Sequence, residues 1–264
     1  MRYKMTLYKH EMKVNAKSLI IWTLSVGFIC FGCILLYGGL EESVQDIAAS
    51  FSDMGAMSAA LGMDKMSLAT LRGYFATEIA MMHGLGGAMF AAILGSGLLS
   101  KEESGHTVDF LNVFPIKRYS IVFWKYLSLV SNILLLNLVC SVLYILGFVI
   151  MGEEVIVEEL LLYGFATSLM QIEIGSVCFL FSAIVKKVTI SVGLGITILL
   201  FAADIMCRIV PALKKLKYIT PFYYSNAADL FTDGKLNGVM AAIGMGVIFV
   251  SYIAALSVYK RKDL

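Results

Sequence analysis

Six long apolar segments, separated by shorter polar stretches, dominate the pattern of the chain. They cover residues 19–37, 75–99, 121–151, 160–185, 188–207 and 239–259. An α-helix needs about 20 apolar residues to cross a hydrocarbon core of roughly 30 Å, and each segment has about that length or more. The pattern therefore predicts an all-α membrane protein with six transmembrane helices over residues 19–259.

The first 18 residues are amphipathic instead of uniformly apolar. At helical spacing, apolar side chains lie on one side and lysines on another: Met5, Tyr8 and Met12, and Lys9, Lys13 and Lys17. A helix of this kind lies in the membrane interface with its apolar side at the lipid boundary. We therefore expect an amphipathic interfacial helix over residues 1–18, lying flat before the first span.

Two long segments between spans are expected to lie outside the bilayer. Residues 39–74 are rich in methionine and alanine, carry five acids and predict short amphipathic helices. Residues 208–238 contain Pro211 and Pro221, and proline interrupts a helix because it lacks an N–H donor. This second loop is therefore expected to fold as short pieces.

Small residues recur at every fourth position in the second predicted span. Gly87, Ala91 and Gly95 would lie on one side of the helix. This spacing lets a neighbouring helix approach closely inside a membrane bundle. We expect this side of the helix to be a packing surface.

The amino-acid composition excludes a soluble domain and argues against a nucleic-acid-binding protein. The chain is 59% hydrophobic and 15% charged, with a mean hydropathy of +0.83, which is too apolar for a soluble domain. The net charge is only +2 and the basic residues lie at span ends, so they form no continuous basic surface that could bind nucleic acid. The five cysteines lie in or beside apolar runs, and we interpret them as small core residues with no metal site.

The distribution of Lys and Arg predicts which side of the membrane each loop faces, because basic loops near span ends stay in the cytoplasm. A cytoplasmic N-terminus places fourteen of the 21 basic residues on that side. They are Arg2, Lys4, Lys9, Lys13, Lys17, Lys101, Lys117, Arg118, Lys125, Lys186, Lys187, Lys260, Arg261 and Lys262. We expect a multi-pass plasma-membrane protein with both termini, including the basic tail at residues 260–264, in the cytoplasm.

Residues 100–119, SKEESGHTVDFLNVFPIKRY, follow the second span directly and have the layout of a docking element. Thr107 can cap a short helix. Phe110 and Leu111 would offer apolar contacts before Pro115 ends it. A short amphipathic helix held at the end of a span can fit a groove on a soluble partner and transmit its motion to the span. An ordinary loop is the alternative interpretation.

This loop resembles the first cytoplasmic loop in the permease subunits of type-2 ATP-binding-cassette (ABC) exporters. Their pattern E-E-x-x-G-T-x-x-x-L-x-x-x-P-I-x-R is matched here by Glu102, Glu103, Gly105, Leu111, Pro115, Ile116 and Arg118. His106 departs from the pattern, because it stands between Gly105 and Thr107. The resemblance extends over nearly the whole chain, through the amphipathic start, the turn at Lys186 and Lys187, residues 219–222 and the closing residues 259–263.

The resemblance implies a permease that binds a pair of separate ABC ATPase subunits and forms a dimer with a second permease chain, the same or different. The implied docking residues are Glu102, Glu103, Gly105, Thr107, Asp109, Phe110, Leu111, Pro115, Lys186 and Lys187. ATP and Mg²⁺ would bind the partner, because the chain has no GxxxxGK(S/T) phosphate loop. We therefore expect no enzyme activity and no cofactor in this chain, and bacterial export of amphiphilic drugs, peptides or lipids.

Ionisable groups at bilayer depth are costly, so each one indicates either a transport pathway or a structural pair. The candidate pathway residues are Glu173, Gln171, Glu78 and His83. Glu173 lies near the middle of the fourth span, where a paired acid that holds helices together is the alternative interpretation. Asp204 and Arg208 are four residues apart, and they predict a helical ion pair at the outer surface.

Two other classes of function stay open in the sequence. An ATP-independent secondary transporter or channel would use the intramembrane acids as an ion path, although the docking loop argues against it. An intramembrane enzyme has less support, because His10 and Glu11 are not followed by a second histidine at metalloprotease spacing. A GxSxG nucleophile motif is also absent from the sequence.

Overall fold

The computed structural model describes residues 2–52, 55–105 and 117–262. The protein is 83% helical, and these ranges contain no strand. The helices are α1 Arg2–Ser52, α2 Ala56–Leu61, α3 Leu71–Gly97, α4 Ser100–Ser104, α5 Arg118–Met151, α6 Val157–Ile184, α7 Ile190–Ile209, α8 Ala227–Asp233 and α9 Gly238–Arg261. A π-helical stretch, Phe75–Ile79, lies within α3, and a 3₁₀ helix, Pro211–Tyr218, precedes α8.

Six of these helices are long and apolar enough to cross a bilayer: α1 over Thr6–Gly39, and α3, α5, α6, α7 and α9. The prediction of an all-α, six-span membrane protein is therefore confirmed. Helix α6 lies at the centre, where it packs against α3, α5 and α9. Large apolar side chains such as Leu199 of α7 and Phe249 of α9 point outward and are 71% and 67% exposed. Such exposure is expected of a lipid-facing surface.

The helix predicted over residues 1–18 is present, but it does not end before the first span. Helix α1 is unbroken, because neither glycine nor proline occurs before Gly27. Its apolar side packs on α5 instead of lying at the lipid boundary. The Tyr8 hydroxyl donates to Ser131 Oγ over 3.0 Å, and the Tyr8 ring lies 6.1 Å from the ring of Trp124. The predicted boundary at residue 18 is therefore replaced by one continuous helix.

The two faces predicted for the start of α1 are both recognisable. Lys9, Lys13 and Lys17 are exposed. On the packed side, Met12 accepts a weak hydrogen bond from the Asn132 amide of α5, at 3.2 Å. The side chain of Met5 lies outside the described residues. The lysine face therefore points away from the bundle, as its spacing indicates.

Local sequence signals account for several helix ends. Gly152 ends α5 with a φ of 73°, a left-handed conformation that glycine adopts without strain. Asn226 and Asn237 immediately precede α8 and α9 as N-caps, and each side chain accepts a hydrogen bond from a backbone N–H in the first turn. The break predicted at Pro211 is confirmed, because α7 ends before it. In the segment between the first two spans, residues 39–74, α1 extends through the first part, and α2 is a short helix as expected.

The small residues of α3 form the predicted packing surface. A Cβ added to Gly95 would lie 2.5 Å from the Gly175 carbonyl oxygen of α6. A Cβ on Gly87 would lie 2.1 Å from the Gln171 side chain of the same helix. A Cβ on Gly175 would in turn touch Ala91 at 3.5 Å. The prediction of close helix packing at this surface is confirmed.

Arg208, at the end of α7, joins the segment after it to the bundle. Its guanidinium pairs with Asp204 over 3.2 Å and with Asp229 of α8 over 2.9 Å. Asp229 also pairs with Lys65 over 2.6 Å, and this hydrogen bond raises the pKa of Lys65. The predicted pair of Asp204 and Arg208 therefore exists. Both side chains are only 7% exposed, and Asp229 adds a third partner.

We predict that Gly95→Ala destabilises the bundle, because the new methyl group overlaps the backbone of α6. Overpacking of this kind costs roughly 1–3 kcal/mol. Gly195→Ala is the matched control, because a Cβ there meets nothing within 4 Å. Thermal unfolding of both purified variants in detergent measures the difference. Equal melting temperatures for the two variants would show that α3 and α6 are not packed as described.

Candidate functional site

The short helix α4 is fixed to the bundle by consecutive residues that contact different helices. The Leu99 N–H donates to Ser182 Oγ of α6 over 3.1 Å, and Ser100 Oγ donates to the Ser96 carbonyl of α3 over 3.0 Å. Three ion pairs follow: Lys101 with Glu11 of α1 at 2.5 Å, Glu102 with Lys125 of α5 at 2.8 Å, and Glu103 with Lys262 after α9 at 2.5 Å. The start of the predicted docking loop is therefore connected to five spans.

Lys125 forms the centre of these contacts. Its ammonium group has no exposed surface, and it pairs with Glu11 over 2.7 Å and with Glu102 over 2.8 Å. It also donates to the Leu98 carbonyl over 2.9 Å. All three donor positions of the ammonium group thus have an acceptor. The contacts join α1, α5 and the junction between α3 and α4.

Lys101 completes a neutral cluster of two lysines and two glutamates with Lys125, Glu11 and Glu102. We call these four residues the Lys125 cluster. Burial and the nearby charge of Lys125 lower the pKa of the Lys101 ammonium, and the Glu11 carboxylate opposes that shift. Charges taken out of water are tolerated when they are paired and hydrogen-bonded. The cluster is therefore a fixed joint, because loss of any member removes an ion-pair partner from a buried charge.

The structure places only part of the predicted docking set. Glu102 and Glu103 are members of α4 whose side chains are 17% and 12% exposed, and Gly105 ends that helix in an exposed position. Lys186 and Lys187 are exposed in the turn between α6 and α7. The remaining predicted docking residues lie outside the described residues: Thr107, Asp109, Phe110, Leu111 and Pro115.

Glu173 occupies a second buried position, between α6 and α9. The Tyr224 hydroxyl donates to its Oε2 over 2.8 Å. A Cβ on Gly244 would lie 2.6 Å from the same oxygen, so glycine leaves the space that the carboxylate fills. A narrow cleft beside the pair is also lined by Lys217 and Thr220. The Glu173 carboxylate therefore lies where α6, α9 and the segment that connects α7 to α9 meet.

The other candidate pathway residues contact different neighbours. Gln171 accepts a hydrogen bond from the Asn137 amide of α5 over 2.6 Å. His83 Nδ1 lies 3.1 Å from the Tyr163 hydroxyl, within the aromatic core. Glu78 is half-buried in the π-helical stretch of α3. Residues two apart in a helix point in different directions, so Gln171 faces α5 while Glu173 faces α9.

Several residues of these sites were missed from the sequence. The amphipathic pattern places Glu11 on a surface helix, and the distribution of charge marks Lys125 only as one of the basic residues at span ends. The available signal was the position of Lys125, four residues inside a long apolar run. A charge in such a run needs a partner, and Glu11 lies on the same side of α1 as Tyr8 and Met12. Tyr224 and Gly244 carried no comparable signal.

We predict that Lys125→Met strongly destabilises the protein, because it leaves the Glu11 and Glu102 carboxylates buried without their shared cation. Breaking a buried pair in this way costs about 3–5 kcal/mol. Lys13→Met removes an exposed lysine and serves as the control. Unfolding by SDS titration of purified protein measures both changes. A Lys125→Met variant as stable as Lys13→Met would contradict the cluster.

Sequence comparison agrees with this architecture. The family model described as ABC-2 family transporter protein matches residues 5–264, which is nearly the whole chain. No curated protein gives a significant match to the chain.

Proposed function

The chain belongs to the ABC-2 family of transporter proteins, and on this premise we propose that it is the membrane-spanning subunit of an ATP-driven exporter. A pair of separate ATPase subunits supplies the energy, and a second permease chain, the same or different, completes the pathway. Residues 100–119 and both termini face the cytoplasm of a bacterial cell. The observation that carries this proposal is the attachment of α4 to five spans through consecutive residues.

This attachment supplies a mechanical link between a partner and the bundle. An ATPase that binds beyond Gly105 moves the end of α4, and the contacts of Lys101, Glu102 and Glu103 pass that motion to α1, α5 and α9. Packed interfaces respond by switching between discrete arrangements instead of deforming continuously. ATP binding would thus bias the bundle toward one of two states that open on opposite sides of the membrane.

The position of Glu173 supports an amphiphilic cargo with a cationic group. Its carboxylate lies between α6 and α9 with Tyr224 as its hydrogen-bond partner. Among the described residues, no Lys or Arg pairs with it. A positively charged group that entered from the bundle surface would gain a partner there. The burial of Glu173 without a cationic partner among the described residues is also the one observation that favours a second candidate function. In that function the chain is an ATP-independent transporter that uses Glu173 as an ion site.

We predict that Phe110→Asp with Leu111→Asp releases the ATPase from the complex. Two charges replace the apolar contacts that a short docking helix would bury in its groove. Phe110→Leu with Leu111→Met keeps the apolar character and is the matched control. Gentle purification of each tagged chain from its native host, followed by mass spectrometry, measures the ATPase that accompanies it.

The wild type and the apolar control are expected to retain an ABC ATPase in a fixed ratio. Purification of the wild-type chain without any ATPase would contradict the exporter and favour the ATP-independent candidate. Retention of the ATPase, with normal hydrolysis, by the doubly charged variant would show that this loop is not the docking element.

We predict that Glu173→Gln reduces efflux of a cationic probe such as ethidium while the complex still assembles. The loss is about tenfold, which corresponds to about 1.4 kcal/mol of lost binding free energy. Tyr224→Phe is the control, because it removes the hydrogen bond and keeps the carboxylate. Fluorescence efflux assays in cells measure both variants. Unchanged ethidium efflux in Glu173→Gln would exclude Glu173 from the pathway.

A further inference from the structure

Lys262 contacts two segments that are far apart in the sequence. Its ammonium group pairs with Glu103 of α4 over 2.5 Å. It also donates to the carbonyl oxygens of Ala183 and Val185, over 3.1 Å and 3.0 Å. Both ion-pair side chains are nearly buried, with 11% and 12% exposed. One lysine therefore connects the start of the 100–119 loop to the end of α6.

The contact with α6 satisfies a requirement of the helix itself. The last carbonyl groups of a helix have no N–H partner within it, and the helix dipole places negative partial charge there. Helix α6 ends at Ile184, and Val185 follows in an extended conformation. The Lys262 ammonium supplies the missing donor and a complementary charge. Lys186 and Lys187 come directly after this capped end, so the cap also positions their turn.

Arg118 makes a second connection of the same kind at the other end of the loop. Its Nη1 donates to the carbonyl oxygens of Lys260 and Lys262, over 3.2 Å and 2.5 Å. These carbonyls belong to the last turn of α9 and the residue after it. Arg118 is also the first residue of α5, where the 100–119 loop returns to the bundle. The end of α9 is thus bound by both ends of that loop.

We propose that Lys262 and Arg118 form a clasp that holds the two described ends of the 100–119 loop, residues 100–105 and 117–119, and the turn at Lys186 and Lys187 as one platform. The proposal rests on the proposed function, since the platform is where the ATPase would bind. A partner that pushes on either segment then moves both, together with α6 and α9. Lys262 and Arg118 are positioning residues, because they act through the segments that they hold.

The neighbouring tail residues provide a matched control. Lys260 and Arg261 carry the same charge as Lys262, but their side chains are exposed. Lys260→Met therefore removes one positive charge from the same tail and keeps the carbonyl that Arg118 binds. Lys262→Met removes the same charge together with the bridge, while Lys262→Arg keeps a cation at that position. Glu103→Gln weakens the bridge from the other side and keeps the cap on α6.

The test is the distance between the two segments, measured with spin labels on the full chain in lipid nanodiscs. Ser104→Cys and Lys187→Cys place one label on each segment, because both residues are exposed. The background carries Cys33→Ser, since the other four native cysteines are buried. Dilution with unlabelled protein suppresses distances between chains. Electron paramagnetic resonance then gives the distance distribution within one chain.

We expect one narrow distribution in the unmodified tail, in Lys260→Met and in Lys262→Arg. Lys262→Met and Glu103→Gln should each lose the narrow distribution, and the melting temperature identifies any variant that has unfolded instead. A narrow distribution that persists in folded Lys262→Met and Glu103→Gln overturns the clasp, whether or not an ATPase binds the chain. The measurement needs no ATPase, so absence of a co-purifying ATPase counts against the proposed function alone.

Discussion

The full burial of the Lys125 ammonium group is the constraint around which one end of the bundle is organised. A buried cation without partners is too costly to keep, so two carboxylates and a carbonyl must stay within hydrogen-bond distance of it. Those acceptors come from Glu11, Glu102 and Leu98. The electrostatic requirement of one side chain therefore fixes α1 and α5 to the point where the 100–119 loop leaves the membrane domain.

The same requirement explains why the start of α1 stands against α5. An amphipathic segment with Lys9, Lys13 and Lys17 on one side could lie on a membrane, and its pattern alone predicts that position. Glu11, however, is fully buried and bound to both Lys101 and Lys125. A flat helix would withdraw this carboxylate from its two partners. The continuous helix thus follows from a contact across the bundle that the local pattern does not contain.

The spans, the break at Pro211 and the packing at Gly95 could be predicted, because each depends on properties local to one segment. Hydropathy sets the number of spans, and proline or glycine acts through its own backbone. The partners of Lys125 and Glu173 could not be predicted in the same way. They come from helices far apart in the sequence, and a helical pattern shows which side a residue lies on without showing what it meets. The docking role of residues 106–116, which include Phe110, stays a prediction from resemblance.

The distribution of charge separates buried acids that are paired with cations from Glu173, which has a hydroxyl partner. At one end of the bundle the Lys125 cluster pairs two cations with two anions, and at the other Arg208 and Lys65 are paired with Asp204 and Asp229. Such balanced clusters resist separation, because opening them exposes charges to an apolar environment. Glu173 has a hydroxyl group where those acids have cations. Under the proposed function it is, of these buried acids, the one whose charge a cargo would balance, and it lies on α6, the span whose end Lys262 connects to residue 103 of the 100–119 loop.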